Sequence, residues 1–484
     1  MTDYEAVIGL EVHAQLLTGS KIFSPAPARA DTDAKPNTNV SPVCLGMPGA
    51  LPVLNAKAVE LAVTAAVATN CSVERVSRFE RKNYFYPDLP KGYQISQYQE
   101  PLARGGWIDI GADGEEKKIR ITRIHMEEDA GKLIHSGTAS LVDLNRAGVA
   151  LIEIVSEPDM RKPDEAARYV RLLRQILRYA GVCDGNMEKG NLRCDANISL
   201  RPAGCQKLGV KVEIKNLNSF KFIKKALEYE TARQAAALRG GEEVIQETRL
   251  FDPDSGKTFA MRSKEEADDY RYFPDPDLPP LVVETETVEQ RKKDLPEMPA
   301  EKMRRFQTEY GIKAEDAERL TTERAFADCF ERATEKNGLP RETANWILTN
   351  ATGIRLLEQE RTKGKDFADF WAKPIGELVA MIKRSEISGA VVREKVLPKI
   401  IEETGKTAAE IVKEAGLSQV SDAGEIGKIA REFVEKHPKE AERFRGGEEK
   451  LMGFFVGGVM KETGGKVNPK VAGEELKKIL GGEK

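Results

Sequence analysis

The chain has 484 residues, enough for roughly two to four domains with a sizeable core. Charged residues make up 32% of it yet cancel to a net −3, which excludes binding through an overall basic field, so any nucleic acid must be met by a local patch. No stretch has the apolar length of a membrane span, the start lacks a basic-then-apolar signal, and the six cysteines have no paired spacing, so a cytoplasmic protein with reduced thiols is expected.

The first predicted element is a strand through Gly9-Leu-Glu-Val-His13. Side chains alternate along a strand, so Glu11, His13 and Gln15 share one face, and Leu10, Val12, Ala14 and Leu16 share the other. From Arg81 to Tyr98 aromatics interleave with basic and amide groups. Such a surface suits stacking on an RNA end, with Lys82 or Lys91 meeting charge; it equally fits a loop packed on the core by Tyr84 and Tyr86. Next, His125-Met-Glu-Glu-Asp-Ala-Gly-Lys132 sets Glu127, Glu128 and Asp129 side by side, where they repel unless a cation is near. Glu153 sits inside the apolar run Ala150-Leu-Ile-Glu-Ile-Val155.

After Pro163 a helix is predicted over Asp164 to Ala180, with Tyr169, Leu172, Leu173, Ile176 and Leu177 at helical spacing. The following strand carries Arg193, Asp195 and Asn197 on one face and Cys194, Ala196 and Ile198 on the other. Lys211, Glu213 and Lys215 share a face of the next strand, which runs through Asn216 to Ser219, an N-cap for a helix to Leu238. These residues and Arg193 offer cations and amides to phosphate oxygens, or form an ordinary charged surface. The proline-rich stretch 272–280 breaks regular structure near the end of this domain. Beyond Leu295 short amphipathic helices are predicted over Glu301–Tyr310, Ala314–Leu320, Glu323–Asn337, Arg341–Asn350 and Ile375–Arg384, and again from Thr407 onward.

Half-buried carboxylates on separate segments are costly unless they meet a cation. One reading is a shared divalent-metal site; Glu, Asp and a neutral imidazole suit Mg²⁺, which keeps waters and shares its shell with substrate phosphates. The other is that Glu11 and Glu153 each pair with a nearby Arg or Lys. Ser255-Gly-Lys-Thr258 and Thr404-Gly-Lys-Thr407 are not P-loops, because Phe251 and Ile400 stand where the earlier glycine is required. No amidase signature is present either, so ammonia, if used, is expected to come from elsewhere.

Ile8-Gly-Leu-Glu-Val-His13, Pro36 to Val40, Cys44 to Asn55, Arg81 to Tyr98, His125 to Lys132, Asp143 to Gly148, Glu153 to Asp159, Arg193 to Asn197 and Glu213 to Phe220 occur in this order. Together with Asn345-Trp346 and Gly453 to Pro469, they resemble the family of B subunits of tRNA-dependent amidotransferases, which make Gln-tRNA(Gln) and Asn-tRNA(Asn). The resemblance covers essentially the whole chain. The archaeal paralogue with an inserted synthetase-like domain fits less well, since no such insertion appears.

The resemblance implies an α+β cradle-like N-terminal domain (1–294) followed by two small all-α domains, a helical domain (295–409) and a C-terminal tail domain (410–484). It implies a metal site of Glu11, His13, Glu127, Glu128, Glu153 and Asp195, with ATP and Mg²⁺ as cofactors. Arg193, Lys215, Asn216 and Ser219 are the residues expected at the nucleotide, and Lys82 and Glu128 are expected to line an ammonia path. The implied partners are an amidase (A) subunit, a small C subunit, and Glu-tRNA(Gln) or Asp-tRNA(Asn), whose body the tail would meet through lysines such as Lys450, Lys461, Lys466 and Lys470. Many members hold zinc with two cysteine pairs. Here Phe23-Ser-Pro-Ala26 and Ser41-Pro-Val-Cys44 retain only Cys44, so no zinc is expected. Two rival readings are a non-catalytic tRNA-binding scaffold and a small-molecule carboxylate–amine ligase.

Overall fold

The computed structural model describes residues 3–28, 34–111, 115–261, 270–361, 367–402, 405–417, 423–463, 467 and 469–481. The chain divides into two units, Met1–Met298 and Pro299–Lys484. In the first unit the elements that build the site are β1 (Tyr4–Gln15), α1 (Ala56–Ala68), β2 (Glu80–Asn83), β3 (Tyr93–Ser96), β4 (Lys118–Glu128), β5 (Ala150–Ser156), α2 (Pro163–Tyr179), β6 (Leu192–Pro202), β7 (Val212–Lys215), α3 (Phe220–Arg239), β8 (Glu247–Asp252), β9 (Lys257–Ala260) and β10 (Phe273–Pro274).

β1 runs through the middle of a ten-stranded mixed sheet, antiparallel to β5 on one side and to β6 on the other. The sheet continues through β4 beyond β5, and through β7, β8 and β9 beyond β6. β7 and β8 are parallel, and α3 makes the crossover that a parallel pair requires. The alternation predicted for β1 is present. Leu10, Val12, Ile152, Ile154, Ala196 and Ile198 are buried, joined in one core with Ala62 of α1, Tyr169 and Leu173 of α2, and Ile223 and Leu227 of α3. Each leucine, isoleucine or valine among them stabilises the layer by about 1.5–3 kcal/mol. Beside this sheet, β2 pairs with β3 and with β10 in a separate three-stranded sheet.

α2 and α3 lie within a residue of their expected limits, and Ser219 caps α3 by accepting from the Phe222 N–H at 3.1 Å. α1 was not singled out from the sequence, although Asn55 is a good cap and accepts from the Lys57 N–H at 2.9 Å. In the second unit Pro299–Glu309, Ala314–Thr321 and Arg324–Asn337 match the expected helices, while Pro340–Arg361 and Phe367–Lys383 run longer than expected. Pro374 reads as a breaker. Trp371, Ala372 and Ile375 around it are buried, and that packing outweighs the lost backbone hydrogen bond. Two buried clusters form here, from Phe306 to Leu417 and from Ile426 to Leu480. Ala408, Ile411 and Val412 belong to the first, so the core changes after Leu417 rather than at 409/410. Among the described residues no helix is long and apolar enough to cross a membrane.

One buried carboxylate ties the far end of the sheet to its covering helix. Glu230 of α3 is wholly buried and accepts from Arg233, Gln234 and Thr258, with Arg249 at 3.6 Å. Burial pushes its carboxyl up, but Arg233, Gln234 and Thr258 prevail and hold it below the usual value of 4.5. A depressed carboxyl contributes stability that is present above the unfolded value and is lost as pH falls through the folded one. Glu230→Gln should therefore cost roughly 3–5 kcal/mol at neutral pH. In denaturation curves measured across pH 3–7, it should also flatten the acid limb below 4.5.

Candidate active site

The register of the central strands assembles the polar face. His13 on β1 stands opposite Glu153 on β5 and opposite Arg193 on β6, while Glu153 stands opposite His125 on β4. Directly opposed residues share a face, and Glu127 joins them two positions beyond His125. His13 Nε2 lies 3.3 Å from Glu127 Oε1 and 3.5 Å from Glu153 Oε2. His125 Nε2 lies 3.1 Å from Glu153 Oε2 and 3.9 Å from Glu127 Oε2. His13, Glu127 and Glu153 each offer a ligand atom, and those atoms fall within 4.8 Å of one another.

The electrostatics are those of a site that wants positive charge. Burial works against charge on His13, yet Glu153 and Glu127 raise its pKa to about 9. Burial likewise raises Glu153, but His125 and His13 hold its carboxyl well below the ordinary range. One register step away, Glu11 stands opposite Asp195 and accepts from Asn197 Nδ2 at 2.9 Å. Burial, and then the charge of Glu153, push Glu11 up, with Glu213 and Asp195 adding to it. In the absence of another cation, protonated His13 balances the cluster. A metal would need the imidazole neutral, and would supply the missing charge itself. One imidazole with carboxylates fits a hard divalent ion better than a sulfur-seeking one.

The remaining predicted residues are placed differently. Glu128 does not join the cluster as a ligand, because the residue after Glu127 points to the opposite face. Its carboxylate accepts from Lys91 and from the Ile95 N–H at 2.9 Å. Asp195 is held by Lys215 Nζ at 2.9 Å, and Lys215 also reaches Glu213 at 2.8 Å. Arg193 is tied to Asp129 at 3.0 Å, and Asp129 also accepts from Gln15 at 2.9 Å. Asn216 adopts φ 70° and donates to the Phe251 carbonyl at 2.9 Å, so its side chain, like the capping Ser219, serves the backbone. Lys450, Lys461 and Lys470 are on exposed positions, whereas Lys466 lies outside the described residues.

A tyrosine wall adjoins the cluster. Tyr98 and Tyr272 stack at 4.5 Å and 10°, and Tyr270 meets both Tyr84 and Tyr272 edge-on. Lys82 Nζ lies 4.7 Å from the Tyr270 ring centroid and 5.9 Å from that of Tyr84, with no carboxylate partner among the described residues. Burial, then the charge of Glu127, raises the Tyr84 hydroxyl, which places this wall beside the carboxylates. The expected stretch Arg81 to Tyr98 thus contributes, but Arg81 itself is committed to Asp275 at 2.8 Å and Asp277 at 2.7 Å. Tyr270 and Tyr272, distant in sequence, were not foreseen. Nor was His125, although alternation from Glu127 points to it.

At the edge of this region Cys44 Sγ has Ser41 Oγ at 3.3 Å, Lys21 Nζ at 3.4 Å and Ser24 Oγ at 3.7 Å. Lys21 is 1% exposed and donates to the Asn39 carbonyl at 2.7 Å and the Leu144 carbonyl at 3.4 Å. Burial raises the thiol, but Ser41, Lys21 and Ser24 together bring it below its ordinary value.

Residues 6–289 match the model of the GatB/GatE catalytic domain, and residues 328–480 match that of the GatB domain. The B subunit of the aspartyl/glutamyl-tRNA(Asn/Gln) amidotransferase of Thermodesulfovibrio yellowstonii is 56% identical over 483 residues, covering 99% of both chains. The protein of the same name from Persephonella marina is 53% identical over 481 residues, covering 99% of this chain and all of that one. That from Geotalea daltonii is 51% identical over 488 residues, with 99% and 100% covered. Similarity of this depth along the whole length, over a sheet that gathers His13, Glu127 and Glu153, means that the chain belongs to the family of aspartyl/glutamyl-tRNA(Asn/Gln) amidotransferase B subunits.

Proposed function

We propose that this chain carries the ATP-dependent step of a tRNA-dependent amidotransferase. Its substrate would be Glu-tRNA(Gln), Asp-tRNA(Asn) or both, and a partner amidase subunit would supply ammonia from glutamine while a small third subunit holds the pair. The convergence of His13, Glu127 and Glu153 carries this reading. A side-chain carboxylate is a poor electrophile, being anionic and lacking a leaving group. Transfer of a phosphoryl group from ATP to the carboxylate gives an acyl phosphate, and ammonia then displaces phosphate at the acyl carbon. A divalent ion such as Mg²⁺, when bound, offsets the repulsion between carboxylate and triphosphate.

His13, Glu127 and Glu153 would hold that ion, with Glu11 and Asp195 reaching its waters. Lys215, set between Asp195 and Glu213, is the cation of this face that would contact a phosphate of the nucleotide. Lys82, held by aromatic faces, and Glu128, tethered to Lys91, are the residues assigned to the route of ammonia. The wall of Tyr84, Tyr98, Tyr270 and Tyr272 shields the reacting centre from water that would hydrolyse the acyl phosphate. The second unit would carry the tRNA body, with exposed lysines such as Lys450, Lys461 and Lys470 around the core that begins at Ile426 meeting its phosphates. A cytoplasmic location follows from the role in translation.

Glu127→Gln and Glu153→Gln should each reduce ATP hydrolysis stimulated by charged tRNA about a hundredfold or more in the assembled complex, while the subunits still copurify. Retained hydrolysis in both would leave only a tRNA-binding scaffold, and hydrolysis without tRNA would point to a small-molecule ligase. Ending the chain at Leu417 should weaken charged-tRNA binding in a filter or anisotropy assay. The same truncation should not alter the melting transition of the sheet unit. With hydroxyls and an ammonium around Cys44 in place of further thiolates, elemental analysis after a chelator wash should find zinc well below one atom per chain.

A further inference from the structure

Arg123 lies on β4 two positions before His125, so it projects from the same face as His125 and Glu127. It stands opposite Val155, which stands opposite Glu11, and this sets it one register step from the carboxylate cluster. Two other cations of this face have carboxylates close by, Arg193 with Asp129 and Lys215 with Asp195 and Glu213. The Arg123 side chain has no carboxylate or hydrogen-bond partner among the described residues, and its Nε is buried unpaired. A guanidinium Nε that has lost water without gaining a partner is costly, and an anion removes that cost.

What Arg123 does have is a ring. Its guanidinium carbon sits 5.4 Å from the centroid of Tyr98, the ring stacked on Tyr272. Tyr98 is itself fixed, since the buried Glu80 carboxylate accepts from the backbone N–H groups of Tyr98 and Gln99 at 2.7 and 2.9 Å. A cation held by a ring face keeps its N–H groups available, and a guanidinium can use them in a forked contact to an oxyanion. Tyr272 connects this group to the cluster. Burial first, then Glu127 and Glu153, push its hydroxyl up, and Arg123 opposes them.

We infer that Arg123, braced by the Tyr98–Tyr272 stack, binds an oxyanion of the triphosphate beside the carboxylate cluster. This rests on the proposed ATP-dependent reading. It adds a cation on a face whose carboxylates would otherwise repel the nucleotide, through a side chain that has no polar partner among the described residues.

The test is the affinity of the assembled complex, with Mg²⁺ and without tRNA, for a non-hydrolysable ATP analogue measured by calorimetry. Arg123→Met should weaken binding about tenfold to a hundredfold. Arg123→Lys, which keeps charge without the fork, should recover part of the loss, and Tyr98→Ala should fall between it and the wild type. Circular-dichroism melting separates these losses from misfolding, because the Lys variant retains both stem and charge. Unchanged analogue affinity would overturn the assignment. If a raised KM for charged tRNA accompanied it, the oxyanion would be the substrate carboxylate. A wild-type complex that binds no analogue would instead overturn the ATP-dependent reading itself.

Discussion

Carboxylates crowded on one face of a sheet repel one another, and the structure is arranged around the need to offset that charge. Glu11, Glu127, Glu153, Asp195 and Glu213 lie within one or two register steps of β1. Protonated His13 answers part of this charge and Lys215 another part. The opposite face of the same strands is closed by α1, α2 and α3, so the site rests on a rigid apolar floor. An arrangement that placed these acids together without a cation would unfold before it performed any reaction.

The architecture distributes cations by task. Arg193 and Lys91 are engaged by Asp129 and Glu128 at the ends of the strands, where they secure loops. Lys82 and Arg123 are held by ring faces instead, which fix position while leaving charge available. Lys21 goes further, its ammonium enclosed by two carbonyls and the Cys44 sulfur where three loops meet. A side-chain amine there bridges three loops.

Much of this was legible from alternation alone. Reading Glu11, His13 and Gln15 as one face was correct because β1 is regular from end to end and its other face is continuously apolar. The same rule, applied strictly, separates Glu127 from Glu128 and pairs Glu127 with His125, whereas treating the acidic run as a unit hid both facts. Registers were not legible, since they depend on pairings between segments far apart in the chain. Glu153 faces His13 rather than Glu11 through a registration that no local pattern encodes. The assignment of Asn216 and Ser219 to the nucleotide did not anticipate that a strand-to-helix turn uses such side chains to satisfy its own backbone.

The order of the strands has a consequence for how the protein is made. β1 leaves the ribosome first, yet its flanking partners β5 and β6 are encoded well over a hundred residues later. Until β5 has emerged and docked, His13 faces neither Glu153 nor Glu127, and the acidic cluster is not yet assembled. The acidic cluster therefore forms late in biogenesis, and an interrupted translation product lacks the concentration of charge that the finished sheet has to offset.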